Sequence, residues 1–269
     1  MRGASADSLA ALTEALGQAV ASGADAGRVA DDLFGVADVL RGEPSLRRTA
    51  TDASLAADAK ADLLRQIFRG RVDDASLEIV ATAARRRWAA TRDLADALEH
   101  TGVVAAVRSA EQAGQADALE DDLFGFRRLV GQNAGLRDAL SDPARSREDK
   151  RALLRGLLQG KVTAAALRLA EQSLSGSHRT VVLAVEEYER IAAEHRHRLN
   201  ATVRVARRLD EADLQRLQGV LARQYGRPVQ LNVVVEPELL GGVKVEIGDD
   251  VIDGTVATRL DEARRRLAG

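Results

Sequence analysis

The chain has 269 residues, 45% hydrophobic and 30% charged, with a formal net charge of -2; that balance supports a buried core and about two domains and excludes wholesale disorder. It also excludes a chain-wide nucleic-acid surface, and the absence of cysteine excludes disulfides, thiolate metal sites and a cysteine nucleophile. No apolar run approaches the ~20 residues of a membrane span, and the opening MRGASADSLAALTEAL lacks the continuous apolar stretch of a signal peptide, so any membrane association is expected to go through partners.

In chain order, Leu9, Leu12, Leu16 and Val20 share one face of a first helix, and Val29, Leu33, Val36 and Leu40 one face of a second. The motif DDLFG at Asp31–Gly35 recurs at Asp121–Gly125, 90 positions on. The same offset, without a gap, pairs Leu46-Arg47 with Leu136-Arg137, Asp52 with Asp142 and Lys60 with Lys150. It continues through Leu63-Leu64-Arg65 and Leu153-Leu154-Arg155, Gly70 and Gly160, Val72 and Val162, and Leu77 and Leu167. Roughly a third of the positions between Asp31 and Leu77 are identical to their partners. Two units are too few for a solenoid, so the pattern predicts a tandem duplication of one helical bundle.

Each copy reads as a run of short helices. Ser54 precedes a helix burying Leu63, Leu64, Ile67 and Phe68, with Gly70 as its left-handed terminus. Its partner starts at Ser146, with Asp149 three residues on as in a capping box, buries Leu153, Leu154, Leu157 and Leu158, and stops at Gly160. Pro44 and Pro143 mark short connectors ahead of these helices, and Asp73 and Thr163 are matching caps for the helices that follow. Leu119, Leu123, Phe126 and Val130 repeat the second helix. The stretch from Trp88 to Gly114 reads as one helix that closes copy one and opens copy two, kinked at Thr101-Gly102. Val181 to Arg198 closes copy two.

The period then changes. Ala201 to Ala206 alternates as a strand, Asp210 caps a helix carrying Leu214, Leu217, Val220 and Leu221, and Gly226 ends it before Pro228. Val229, Leu231, Val233 and Val235 alternate as a second strand, expected to stop near Glu236 because Pro237 cannot donate to a ladder. Gly241-Gly242 allows a turn, Val243, Val245 and Ile247 form a third strand, Gly248-Asp249 fits a turn, and Asp250 to Asp253 is a short fourth. From Thr255 the period is helical. The predicted fold is mainly α: two tandem helical bundles, residues 1–105 and 106–198, followed by a small C-terminal α/β domain, residues 199–269.

Chemistry-bearing patterns fall short of a site. Asp249, Asp253 and Gly254 match positions of a calcium loop, but Val251 and Leu260 stand where ligands are needed. Gly241-Gly242 is followed by Val243 and a strand, where a phosphate cradle needs Gly-Lys-Ser/Thr and a helix. His195 and His197 point to different sides of a helix, and His100 and His178 lack spaced companions. No serine lies in a Gly-x-Ser-x-Gly elbow. Arg85 to Arg87 and Arg264 to Arg266 sit at helix C-termini, where cations complement the dipole, and Arg204, Arg207 and Arg208 suit a rim contact to an acidic partner helix. Catalytic residues, metal and cofactor are therefore all expected to be absent.

Apolar Val229, Leu231 and Val235, acidic Glu236, then Leu239, Gly241, Gly242, Val243, Val245, Glu246 and Gly248, followed by Val-Ile-Asp253-Gly-Thr and a last amphipathic helix, resemble the signature of the δ subunit of F-type ATP synthase. That is the family of the mitochondrial oligomycin-sensitivity-conferring protein. The likeness covers about Leu119 to the end; the first helical copy is extra. It implies a non-catalytic stator subunit whose partners are the α subunits of the catalytic head, through their N-terminal tails, and the b subunit, through its C-terminal helix. It further implies one copy per complex and a peripheral place on the cytoplasmic face of the bacterial cell membrane. The alternative is a helical adaptor or regulatory protein unrelated to ATP synthase, which would not co-purify with it.

Overall fold

The computed structural model describes residues 3–196, 199–226, 228–239, 241–247 and 250–254. Among these, twelve helices precede or flank a four-stranded sheet. The chain divides into two compact units, one of residues 1–16 and 24–193 and one of residues 17–23 and 194–269.

The 90-residue offset of the sequence is an offset of structure. Helix α2 (Ala26–Gly42) maps onto α7 (Ala116–Gln132), α3 (Pro44–Thr51) onto α8 (Ala134–Ser141), and α4 (Ala57–Phe68) onto α9 (Arg147–Leu158). Helix α5 (Asp74–Arg85) maps onto the shorter α10 (Ala164–Gln172). The stripes agree as well: Leu64 and Phe68 are buried in α4 and Leu154 and Leu158 in α9, while Leu63, Ile67, Leu153 and Leu157 are half-buried in the two. Hydrogen bonds repeat with the backbone. The Asp73 amide donates to Asp32 Oδ2 at 2.9 Å and the Thr163 amide to Asp122 Oδ2 at 2.6 Å. Arg47 donates to the Arg41 carbonyl at 3.1 Å and Arg137 to the Gly131 carbonyl at 3.0 Å. Gly70 and Gly160 close α4 and α9 at φ 72° and 76°, a conformation that a Cβ disfavours.

Helix α6 (Asp93–Gln112) serves both copies. It repeats α1 (Ala4–Ala21) at the start of copy two and is itself repeated by α11 (Val181–Arg196) at the end. Fourteen of its residues, including Leu94, Leu98, Val103 and Val107, are buried, the mark of a helix surrounded on every side.

Several local expectations are corrected. The helix begins at Asp93 rather than Trp88: Asp93 Oδ2 accepts from the Ala90 amide at 3.2 Å and from Ser5 Oγ at 2.7 Å, and such local side-chain bonds set a start. It runs unbroken through Thr101-Gly102. Gly102 answers to packing instead, because a Cβ there would lie 2.6 Å from Cε1 of Phe34. Ser54 precedes α4 as expected; its amide and hydroxyl both donate to Asp52 Oδ1, at 2.8 and 2.7 Å, and the cap position falls on Ala56. Ser146 does cap α9, accepting from the Asp149 amide at 3.0 Å. The connectors near Pro44 and Pro143 contain the eight-residue helices α3 and α8, with Pro44 in the first turn of α3, where its missing N–H costs nothing.

In the second unit, β1 (Leu199–Val205), α12 (Glu211–Tyr225) and β2 (Val229–Val235) form a parallel pair with a crossover helix. Strand β3 (Val243–Ile247) pairs antiparallel with the other side of β1, and β4 (Asp250–Asp253) with β3, giving the order β2-β1-β3-β4. Ala201, Val203, Val205, Val229, Val245 and Ile247 face Leu221 of α12 in one core. Asp210 caps α12 by accepting from the Asp213 amide at 2.7 Å, and Gly226 ends it at φ 66°. Val235 and Val220 fall outside this core, 46% and 44% exposed. The Gly248-Asp249 turn and the helix from Thr255 lie outside the described residues.

Gly102→Ala is expected to lower stability by about 1–3 kcal/mol through overpacking, read as a fall in thermal midpoint. In a Phe34→Ala background the cost should shrink, since the two side chains meet; equal losses in both backgrounds would show that Phe34 is not the obstacle.

Candidate interaction site

The most constrained polar cluster lies inside the helical unit, around Glu99 of α6. Its carboxylate, 3% exposed as a residue, accepts from Tyr188 Oη at 2.8 Å, from the Ser177 amide at 3.0 Å and from Gln172 Nε2 at 3.4 Å. Arg41 of α2 closes the set by ion pairing to Oε2, and also reaches Asp96 at 3.2 Å. One buried carboxylate thus joins α2 of copy one to three segments of copy two. Burial pushes the Glu99 carboxyl up, but the Arg41 charge and the Tyr188 and Ser177 hydrogen bonds outweigh it and hold the group below the ordinary carboxylate value. Burial first, then the adjoining Glu99 charge, pushes the Tyr188 phenol well above its usual value, so it remains a donor. Gly176 makes room: a Cβ there would stand 2.0 Å from Glu99 Oε1. His178 meets the Tyr188 ring edge-on at 6.1 Å.

A second layer of ion pairs crosses from copy one to copy two. Arg168 of α10 grips Asp31 of α2 at 2.6 and 3.1 Å, and Arg147 of α9 donates to Asp38 at 2.8 Å. These pairs border an open cleft of about 580 Å³ whose lining includes Phe34, Asp38, Arg151, Leu167 and Glu171. Asp38 is raised by burial, which outweighs the lowering by Arg147, Arg41 and Arg151. The lining is charge-compensated, Arg155 pairing with Glu171 at 2.7 Å.

In the sheet unit, Arg204 is engaged within the chain. It is ion-paired to Glu236 and lies 3.6 Å from Glu246, which also holds Lys244 at 2.9 Å. Arg204 and Lys244 are directly opposed in the β1–β3 register, and the two glutamates relieve that like-charge pairing. Of the signature residues, Gly241 and Gly242 take φ 115° and 91°, which glycine alone adopts cheaply. Val243 opens β3, Asp253 ends β4, Leu239 lies in the turn between β2 and β3, and Gly248 is outside the described residues. Glu99, Arg41 and Tyr188 belong to none of the patterns that the sequence displays. Glu99 follows Asp96 by three residues and precedes His100, so nothing local marks it as buried, and its partner Tyr188 lies 89 residues on.

Among the described residues no helix is long and apolar enough to cross a membrane, and no group of three His, Cys, Asp or Glu side chains is arranged to hold a metal. The sequence profile described as "ATP synthase delta (OSCP) subunit" matches residues 103–267, more than half of the chain. A Nocardioides protein named ATP synthase subunit delta is 51% identical over 269 residues, covering 100% of this chain and 98% of that protein. Proteins of the same name from Kineococcus radiotolerans and Streptomyces coelicolor are 46% and 39% identical, over 97% and 100% of this chain and 96% and 98% of theirs. These relatives therefore share the first helical copy. The matches define the class as a structural, non-catalytic subunit of the ATP synthase complex. The chain belongs to the ATP synthase delta (OSCP) family, whose place is the peripheral stalk.

Because the Glu99 carboxyl is lowered in the folded state, its stabilisation is present above the unfolded value of 4.5 and is lost as pH falls through the folded value. The thermal midpoint of the chain should therefore drop between about pH 5 and pH 1 more steeply than that of Glu99→Gln. At neutral pH, Glu99→Ala should cost about 3–5 kcal/mol, because it strands a half-buried guanidinium and a buried phenol. Parallel acid curves for the chain and Glu99→Gln would remove Glu99 from the account.

Proposed function

We propose that the chain clamps the catalytic head to the membrane sector of ATP synthase. The helical part holds the N-terminal tails of the α subunits and the C-terminal α/β unit meets the C-terminal helix of the b subunit. In this reading the modules are residues 1–105, 106–198 and 199–269, one chain serves each complex, and the complex carries it at the cytoplasmic face of the bacterial cell membrane. Membership in the delta family over residues 103–267 carries the proposal. It is supported by a sheet unit with its own core and by a helical unit whose copies are locked by buried and ion-paired side chains. The work is mechanical: rotation of the central shaft puts torque on the head, and a stator resists it with rigid helices and partner surfaces.

Two experiments test this. The chain should co-elute with α and b from mild-detergent extracts of membranes. Truncation before Leu199 removes all four strands, since β1 is central in the sheet, and should leave ATP hydrolysis intact while proton pumping in inverted vesicles falls. Pumping that survives this truncation would exclude the α/β unit as the joint to b.

Copy one is proposed to meet the α tails. Cysteine pairs check this, because the chain has no cysteine of its own. One cysteine goes on the α N-terminus and the other at Ala53 of copy one or Arg128 of copy two, both exposed. Disulfide formation is expected from Ala53; formation from Arg128 alone would move the α contact to copy two.

A further inference from the structure

Where copy two packs on α2, the ion pairs leave polar atoms unmatched at one spot. Asp38 accepts from Arg147 through Oδ2 at 2.8 Å, whereas its Oδ1 is buried and accepts no hydrogen bond among the described residues. Arg41 Nη1 stands 3.9 Å from that oxygen, and it and Arg151 Nε are buried donors with no acceptor. Each such orphan is a desolvation cost that the chain itself does not offset. Asp38 and Arg151 both line the cleft of about 580 Å³ between the copies, a volume of small-ligand size. Charge points the same way. Arg168 is matched by Asp31 and Arg155 by Glu171. Arg147 is matched by Asp38, and Arg41 by Asp96 and Glu99. Arg151 stops 4.0 Å from Asp38 Oδ2, the surplus cation of this wall among the described residues. Building a bundle does not require the three groups. At the 90-residue offset, Arg128 stands for Asp38, Gly131 for Arg41 and Ala61 for Arg151.

We propose that this wall of the cleft binds inorganic phosphate as hydrogen phosphate. Its ionised oxygens accept from Arg151 Nε and Arg41 Nη1, and its O–H donates to Asp38 Oδ1. The Asp38 and Arg151 side chains are 20% and 30% exposed, so a change of rotamer at the wall presents both atoms to the ion. Two unmatched donors and one unmatched acceptor specify the ligand. Water meets the hydrogen bonds but leaves the surplus Arg151 charge unanswered. Sulfate answers the charge, but near neutral pH it has no proton for Asp38 and sets an oxygen lone pair against a carboxylate oxygen. A phosphate monoester in its dianionic form fails for the same reason. Hydrogen phosphate supplies both, with charge-assisted hydrogen bonds to guanidinium. Held by Arg41 and Asp38 of copy one and by Arg151 of copy two, the ion adds a tie between the copies beside the Arg147 and Arg168 pairs.

The site lies within one chain, so the test uses the purified full chain. Radiolabelled inorganic phosphate is dialysed to equilibrium against it near neutral pH and at fixed ionic strength, since salt screens such contacts. The expected result is saturable binding of one phosphate per chain. Unlabelled phosphate should compete at least about tenfold better than sulfate or adenosine monophosphate, which lack the proton for Asp38. Arg151→Gln should weaken phosphate about tenfold or more by removing the charge that answers it. Asp38→Asn, whose amide donates as well as accepts, should narrow the preference for phosphate over sulfate. Both variants are first checked for native circular dichroism; where either fails to fold, the comparison of the three anions on the unaltered chain decides. The proposal is overturned by the absence of saturable phosphate binding, by sulfate or adenosine monophosphate competing as well as phosphate, or by an affinity that a folded Arg151→Gln leaves unchanged. None of these outcomes touches the stalk reading, which stands or falls on co-elution and truncation.

Discussion

A carboxylate with almost no access to water is tolerable only when every lone pair is matched and its charge is answered. Glu99 meets that demand through Arg41, Tyr188, the Ser177 amide and Gln172, and in doing so it dictates much else. Arg41 must come from α2, Tyr188 from α11, and the segment after α10 must bring an amide and a glycine within reach. Apolar packing would tolerate small slippages between copies, because it is not directional; this cluster would not. It therefore fixes the register of copy two on copy one.

Duplication supplied two equal sets of parts, and the differences show how they diverged. Position 41 is Arg in copy one, whereas its equivalent, Gly131, leaves Glu189 to pair with Arg127 at 2.9 Å. Gly102 admits the Phe34 ring, and Ala192 is its equivalent. Hydrogen bonds that build the copies themselves, from Asp32 and Asp122 to the next helix start, are kept in both. Arg41 and Gly102 thus serve contacts that copy two does not repeat, while the Asp32 and Asp122 bonds serve the build of each copy.

Much of this was legible in the sequence because it rests on short-range rules. Helical stripes, the paired glycines at 70 and 160, the cap at Ser146 and the alternation of β1 and β3 each follow from residues within a few positions of one another. Two kinds of feature escaped. Gly102 was misread as a kink because its partner Phe34 is 68 positions away and invisible to periodicity. Glu99 carried no local sign of burial, since a glutamate on a helix is ordinarily solvated. The α/β signature was recognised as a family pattern, and its glycine angles have a physical cause, but which of its side chains meet a partner is not a matter of local rules.

Helix α6 has a mechanical implication as well as a topological one. Where two domains are joined by a linker, bending concentrates in the linker. Here the joint is a continuous helix buried along its length and shared by both copies, so a load on copy one is carried into copy two by aligned backbone hydrogen bonds and by side chains packed all round it. Bending at this joint therefore means distorting a hydrogen-bonded, close-packed helix rather than turning about loop torsions.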